Sequence, residues 1–383
     1  MTKPKVLFLN PTMPPRAIPI CSLLAKNKSY HWKFLFYSVS SKIRRWENKN
    51  KKSLLFDYEV LKTVDLGWGG KDFISNPISL NFLQRLLAYN PDFIIVPGWA
   101  DLQSWISALY CIIFKKKYIL RSESTRFEKS WRRSVFYPIT RLMVRYAYGY
   151  TVTGTLAKEY LISLGAKPHR VFIGFSTVDV KSFNKLANVS KKDKNHLRKQ
   201  WGVEEKDVVL MFSGQLIERK GIYDLLNVYK DLLKNYSNIK LLIVGYGQEE
   251  EKVKAKVVKQ KLVGNVIFTG FVENKQLPKL YAMADIFVLP SREETWGMVI
   301  NEAMACGLPV VASDRVGSGY DLVENGKTGL IFKSGNTKDL YRKLDLLIEH
   351  PVKRRKMSER SSEKILKYDF KQLVKAIVES LKT

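Results

Sequence analysis

At 383 residues the chain is too long for one ordinary core and long enough for two α/β domains, each burying its own apolar interior. Hydrophobic residues at 45% and aromatics at 12% suit a packed globular protein, and no apolar run reaches the roughly eighteen residues of a membrane span, so a soluble or peripheral protein is expected. A net charge of +29 implies attraction to a polyanion, whether nucleic acid, an anionic membrane surface or phosphorylated substrates, without choosing among them.

In chain order, the apolar run at residues 6–9 is too short for a signal-peptide core and ends among the turn formers Pro11, Pro14 and Pro15, so it reads as a first buried strand. Helical periodicity at 80–87 and 105–114 alternates with apolar runs at 93–96 and 118–120, which predicts a parallel sheet. The polar stretch from Asn188 to Asn195 marks the expected boundary: a first domain over 1–187, a second over 188–366, and a final helix over 367–383 returning toward the first. In the second half, apolar runs at 208–212, 241–244, 266–268 and 286–289 are each followed by a helical pattern, predicting another doubly wound domain. The tail sets Phe370, Leu373, Val374, Ile377 and Leu381 at helical spacing, which predicts a packed helix.

Cys21, Cys111 and Cys306 are odd in number and far apart, against a disulfide framework or a metal-binding pair and in keeping with a reducing cytoplasm. The four histidines, His31, His169, His196 and His350, form no catalytic or metal motif. Gly245-Tyr246-Gly247 lacks the third glycine of a dinucleotide fingerprint, because Glu250 stands there, which disfavours a dehydrogenase.

The most informative stretch runs from Ala284 to Ser313 and reads as strand, polar turn, helix and strand, with Glu294 in the turn, Gly297 at the helix mouth and Glu302 more than a turn along the helix. Ligands in such units bind at the carboxyl ends of the strands, where a helix N-terminus presents unpaired N–H groups. One carboxylate then suits sugar hydroxyls and the other ribose hydroxyls.

Glu294 and Glu302, together with Gly214-Gln215-Leu216-Ile217-Glu218-Arg219-Lys220-Gly221, Phe268-Thr269-Gly270-Phe271-Val272 and Glu324-Asn325-Gly326-Lys327-Thr328-Gly329, resemble the signature of the family-4 retaining glycosyltransferases of the GT-B fold, of the bacterial envelope polysaccharide type. The likeness covers most of residues 205–335. It implies an α/β architecture of two Rossmann-like, doubly wound domains facing a deep cleft, with the acceptor on the first domain and a nucleotide-diphosphate sugar, UDP-linked by preference, on the second. Glu302 would hold the ribose hydroxyls and Glu294 the donor sugar, while the backbone of Gly297, Met298 and Val299 would meet the diphosphate and sugar. Gly214 and Trp296 fall in the same donor site, and Tyr246 and Val272 would lie near the base. Arg219 and Lys220 would neutralise the leaving diphosphate, so that no metal or other cofactor is needed. Fixed cations aimed at charge that develops on a leaving group stabilise the transition state more than the ground state. The resemblance further implies retention by front-face attack.

Two departures stand out. The first strand is followed by Asn10-Pro11-Thr12-Met13-Pro14-Pro15-Arg16 instead of a Gly-Gly turn, and Arg121-Ser122-Glu123-Ser124 stands where relatives carry a histidine. Arg16 and Glu123 are acceptor-side candidates on that ground, with a helix cap or a surface ion pair equally open for them.

Basic residues in the first half, Lys42, Arg44, Arg45, Lys49, Lys51 and Lys52 and then Arg126, Lys129, Arg132, Arg133, Arg141 and Arg145, are interleaved with Trp46, Phe127, Trp131, Phe136, Tyr137 and Tyr146. This mixture suits an anionic membrane interface, with a solvated surface as the plain alternative. The expected partners are a nucleotide sugar, a glycan or polyprenyl-diphosphate-linked saccharide as acceptor, and the inner face of the cell membrane. Without a nucleic-acid-binding module, nucleic acid is not expected as a partner, although a basic nucleic-acid-binding protein is a third reading after an epimerase or glycan phosphorylase of the same fold.

Overall fold

The computed structural model describes residues 2–38, 40–41, 46–47, 54–64, 78–128 and 131–383, and its contacts divide the chain into two compact units, Met1–Phe175 with Phe370–Thr383, and Ser176–Asp369. In the first unit, β1 (Lys5–Thr12), β2 (His31–Ser38), β5 (Tyr58–Val60), β6 (Phe93–Val96), β7 (Lys117–Ser122), β8 (Gly149–Val152) and β9 (Val171–Ile173) form one parallel sheet ordered β5-β2-β1-β6-β7-β8-β9. The short β3 (Ser40–Ser41) and β4 (Trp46–Glu47) pair with each other, antiparallel. Parallel strands are covered on both faces, which is why they read as unbroken apolar runs. Alternate residues of β1 accordingly serve two cores: Leu7 and Leu9 pack with Leu35, Ile94 and Leu120, whereas Val6 and Phe8 pack with Phe34, Ile95 and Ile119.

The second of those cores is closed by the last helix, Phe370–Ser380, which sets Leu373 and Ile377 into it, followed by Leu381. The helix therefore belongs to the first unit although it is the last element in the chain. Ser380 also accepts from the Thr151 hydroxyl at 3.3 Å.

In the second unit, β10 (Val208–Ser213), β11 (Ile239–Val244), β12 (Val266–Gly270), β13 (Ile286–Leu289), β14 (Val310–Ser313) and β15 (Gly329–Phe332) form a parallel sheet ordered β12-β11-β10-β13-β14-β15. The chain moves outward from β10 to β12, then returns to the other side of β10 and moves outward again through β13 to β15. The reversal lies between β10 and β13, and a crevice opens at the carboxyl ends of strands at such a point.

The contacts divide earlier than the expected boundary after residue 187. The helix Val180–Ala187 goes with the second unit, where Asn184 donates to the Ala305 carbonyl at 3.1 Å. The polar stretch at the expected boundary is largely the helix Lys191–Gln200, capped by Ser190, whose hydroxyl oxygen accepts from the Asp193 amide at 3.1 Å. Its Arg198 is buried against Asp285 at 2.6 Å, a partner too distant in sequence for local polarity to reveal.

Truncating the fully buried Ile377 to alanine removes part of the first unit's core. The variant is expected to lose about 2–4 kcal/mol of stability, read as a lower denaturant midpoint, and an unchanged midpoint would show the helix to be dispensable.

Candidate active site

The crevice of the second unit is built by two loops, one from Gly214 to Gly221 after β10 and one from Pro290 to Gly297 after β13. They are laced by backbone. Arg292 N–H donates to the Arg219 carbonyl at 2.7 Å, and the Arg219 guanidinium donates to the Glu293 carbonyl at 3.0 Å. Gly221 permits this approach: its φ is +71°, and a β-carbon there would stand 2.1 Å from the Pro290 carbonyl oxygen. Arg292 adds a two-nitrogen contact with Asp224 at 3.0–3.2 Å, which ties the second loop to the helix Ile222–Leu232 after the first.

Across these loops the Lys220 ammonium meets the Glu294 carboxylate, and the two side chains are only 11% and 12% exposed. Charges so withdrawn from water are held by each other, because removing either would strand its partner. The backbone at Glu294 is fixed from the opposite side, its N–H donating to the Arg315 carbonyl at 3.1 Å and its carbonyl accepting from Gly317 N–H at 3.0 Å.

The helix Met298–Ala305 starts at Gly297, whose φ of +91° lies in the left-handed region and which offers the helix no side-chain cap. Met298 and Val299 form its first turn. Glu302, farther along, accepts from the Tyr281 hydroxyl at 2.8 Å. Tyr281 is completely buried, and burial first, then the charge of Glu302, push its phenol well above the usual tyrosine range, so it keeps the proton it donates. Burial likewise pushes up the neighbouring Cys306 thiol, with Glu302 adding to the effect.

The structure thus brings Lys220 and Glu294 into contact, sets Arg219 in the same pair of loops, and places Gly297, Met298, Val299 and Glu302 on the helix that follows. Gly214 turns the chain directly after β10, and Tyr246 stands at the end of β11 with its ring 5.7 Å from Phe271, edge to face, beside Val272. Trp296 lies in the same turn, just before Gly297. Its ring is buried, and its indole N–H donates to Asn301 at 2.9 Å, so that the side chain braces the turn from inside.

In the first unit, Arg16 is half-buried at the start of the helix Ala17–Ala25 without capping it, and Glu123 is exposed just after β7. Arg121 feels the charges of both; its guanidinium is 4.8 Å from the Phe8 ring centre, and its buried Nη1 has no hydrogen-bond partner among the described residues. Tyr281 and Arg121 were not among the expected site residues. The single signal for Arg121 was its position at the end of a strand, and none marked Tyr281.

Residues 193–364 match the model of the family described as glycosyl transferases group 1. Among relatives, the sulfoquinovosyl transferase SQD2 of Arabidopsis thaliana is 29% identical over 252 residues, 64% of this chain and 46% of that protein. The alpha-monoglucosyldiacylglycerol synthase of Acholeplasma laidlawii is 30% identical over 159 residues, 41% of this chain and 39% of that protein. The chain spans about half the length of the curated relatives it matches. Among solved structures, Alr3699/HepE of Anabaena in complex with UDP superposes with a TM-score of 0.77 at 20% identity over 99% of both chains. The fold is GT-B. In GT-B terms the Ser176–Asp369 unit carries all the expected donor-side residues, and the Met1–Phe175 unit carries Arg16 and Glu123.

At Gly221 an alanine would force a β-carbon into the Pro290 carbonyl at a positive φ. Gly221→Ala is expected to cost about 1–3 kcal/mol in chemical denaturation, and a stability equal to the parent's would mean that the two loops are not held as described.

Proposed function

We propose that the protein is a retaining glycosyltransferase that moves a sugar from a nucleotide-diphosphate sugar, UDP-linked by preference, to a glycan or polyprenyl-diphosphate-linked saccharide. The observation that carries this reading is the meeting of Lys220 with Glu294 over the reversal point of the second sheet, beside a helix that opens on Gly297. An incoming diphosphate finds there a helix N-terminus and two basic residues, Arg219 and Lys220. Glu294 is released toward sugar hydroxyls as Lys220 turns to phosphate, and Glu302, oriented by Tyr281, receives the ribose.

The chemistry asked of this chain is positioning and charge stabilisation. As the anomeric carbon–oxygen bond breaks, negative charge grows on the diphosphate, and fixed cations stabilise that growth. The leaving phosphate accepts the acceptor's proton on the same face, which retains the anomeric configuration. No metal or other cofactor is invoked. The family match over residues 193–364 supports the reaction class, and the UDP and UDP-glucose complexes of Alr3699/HepE support the nucleotide. The acceptor side falls to the first unit, where Arg16, Arg121 and Glu123 provide charge. The strongly basic composition supports work at the inner face of the cell membrane, on an anionic surface.

Two measurements test this. UDP should raise the thermal unfolding midpoint, and the rise should grow with the logarithm of its concentration above Kd; no rise with any nucleoside diphosphate or nucleotide sugar sinks the reading. Glu302→Ala should abolish most of that shift, while Tyr281→Phe, which removes one hydrogen bond of about 1 kcal/mol, should weaken UDP about fivefold. In turnover of the nucleotide sugar, Lys220→Ala and Glu294→Ala should each be slower by about a hundredfold or more, and parental rates in both would refute the roles given to them.

A further inference from the structure

A pocket of about 860 Å³ opens in the first unit, away from the residues assigned to the reaction. It lies at the amino ends of β7, β8 and β9, where Lys117, Gly149 and Val171 begin their strands, whereas Arg121 and Glu123 stand at the carboxyl end of β7. Six cations line it: Lys116, Lys117, Arg141, Arg145, Lys167 and Arg170. Among the described residues no acidic side chain does. Among the described residues, only Lys116 of the six has a carboxylate partner, Asp92 at 3.4 Å. Tyr148 gathers two of the others, the Lys117 ammonium 4.1 Å from its ring centre and Arg170 donating to its carbonyl at 3.4 Å. So many like charges around one concavity repel one another, and an anion bound there relieves that repulsion.

Beside the pocket is an apolar surface that none of the described residues covers. The helix Tyr137–Tyr146 buries Thr140, Met143 and Val144 on its inner side, yet it carries a second apolar row, Ile139, Leu142 and Tyr146, turned to solvent, with Leu142 54% exposed. Arg141 and Arg145 run alongside that row, one helical turn apart, and reach into the pocket with Leu142 and Tyr146. The helix Leu102–Ile113 packs next to it, with Trp105 and Phe136 rings 5.4 Å apart, and exposes Leu109, Ile112 and Ile113, the last at 61%. Single exposed apolar residues are ordinary, but two adjoining rows bordered by cations mark a surface that leaves water.

We infer that this face docks on an anionic phospholipid bilayer, with the rows on the two helices entering the acyl boundary and the basic pocket taking a headgroup phosphate. A second copy of the chain would set the same cations against each other. A polyanion without an apolar layer would leave the isoleucine and leucine rows in water. A bilayer satisfies both at one depth, since lysine and arginine stems lie along the apolar zone while their heads reach the phosphates. The inference deepens the membrane partner proposed above and is independent of the donor site. The basic cluster around Lys42–Lys52 and Lys129 lies outside the described residues, and nothing rests on it.

The test is co-sedimentation of the full chain with vesicles of phosphatidylglycerol mixed in phosphatidylcholine, against phosphatidylcholine alone, with inorganic diphosphate and a single-stranded RNA as separate solution probes. Binding is expected on the anionic vesicles and not on the neutral ones, and it should weaken steeply as salt rises. The triple variant Arg141→Gln, Arg145→Gln and Lys167→Gln should bind about a hundredfold more weakly, and Ile139→Ser with Leu142→Ser about tenfold, both with unfolding midpoints close to the parent's. Undiminished binding by the triple variant overturns the inference. So does parental binding that ignores salt or lipid charge, a measurement that needs no variant to fold. Diphosphate or RNA bound at this pocket without vesicle binding also overturns it, in favour of a soluble phosphate or a nucleic acid. Failure of UDP to stabilise the protein would sink the transferase reading and leave the vesicle result standing.

Discussion

Lys220 and Glu294 belong to loops more than seventy residues apart, and their contact is possible because the backbones of those loops touch. Gly221 removes the one side chain that would hold the loops apart, and the hydrogen bond from Arg292 to the Arg219 carbonyl pins them. From that clamp the rest of the donor side follows. With the second loop held, Gly297 comes to the end of β13 in a conformation that starts a helix, and the helix fixes Glu302 within reach of the Tyr281 hydroxyl. A pair of opposite charges shielded from water is costly to keep, and removing either partner strands the other.

The two units differ in how they use charge. In the second, cations and carboxylates are matched: Lys220 with Glu294, Arg292 with Asp224, and Arg198 and Lys194 with Asp285. In the first, among the described residues only Lys116 of the six lining cations meets a carboxylate, and the excess positive charge gathers at the amino ends of β7, β8 and β9. Matched charges build a site with defined geometry, whereas unmatched ones build a field that draws in anions whatever their detailed shape.

Much of this was legible in the sequence because parallel strands are buried on both faces. The runs at 6–9, 93–96, 118–120, 208–212 and 286–289 all became strands, and the periodic segments near 80–87 and 105–114 became the helices Phe82–Tyr89 and Leu102–Ile113. The turn holding Glu294, Gly297 and Glu302 also carries its meaning within a short window. What stayed hidden depends on pairings between distant segments. Tyr281 reaches Glu302 from the helix Leu277–Met283 before β13, an element with no motif of its own. The Lys191–Gln200 helix looks like linker because its one buried residue, Arg198, finds Asp285 only in three dimensions. The basic and aromatic mixture of the first half was visible as composition, while the concavity required Lys116, Lys167 and Arg170 to converge from separate elements.

The placement of the Phe370–Ser380 helix has a bearing on how the molecule matures. The chain leaves the first unit after Phe175 and re-enters it at Phe370, and near those crossings the Thr177 hydroxyl donates to the Tyr368 carbonyl. During synthesis the amino-terminal sheet emerges first, yet the face formed by Val6, Phe8, Phe34 and Ile119 keeps an open side until Leu373, Ile377 and Leu381 arrive. The intervening unit has its whole sequence available before that moment. The sequence of the second unit is therefore complete before that of the first, and the first sheet waits with one apolar face open while the second unit can already fold.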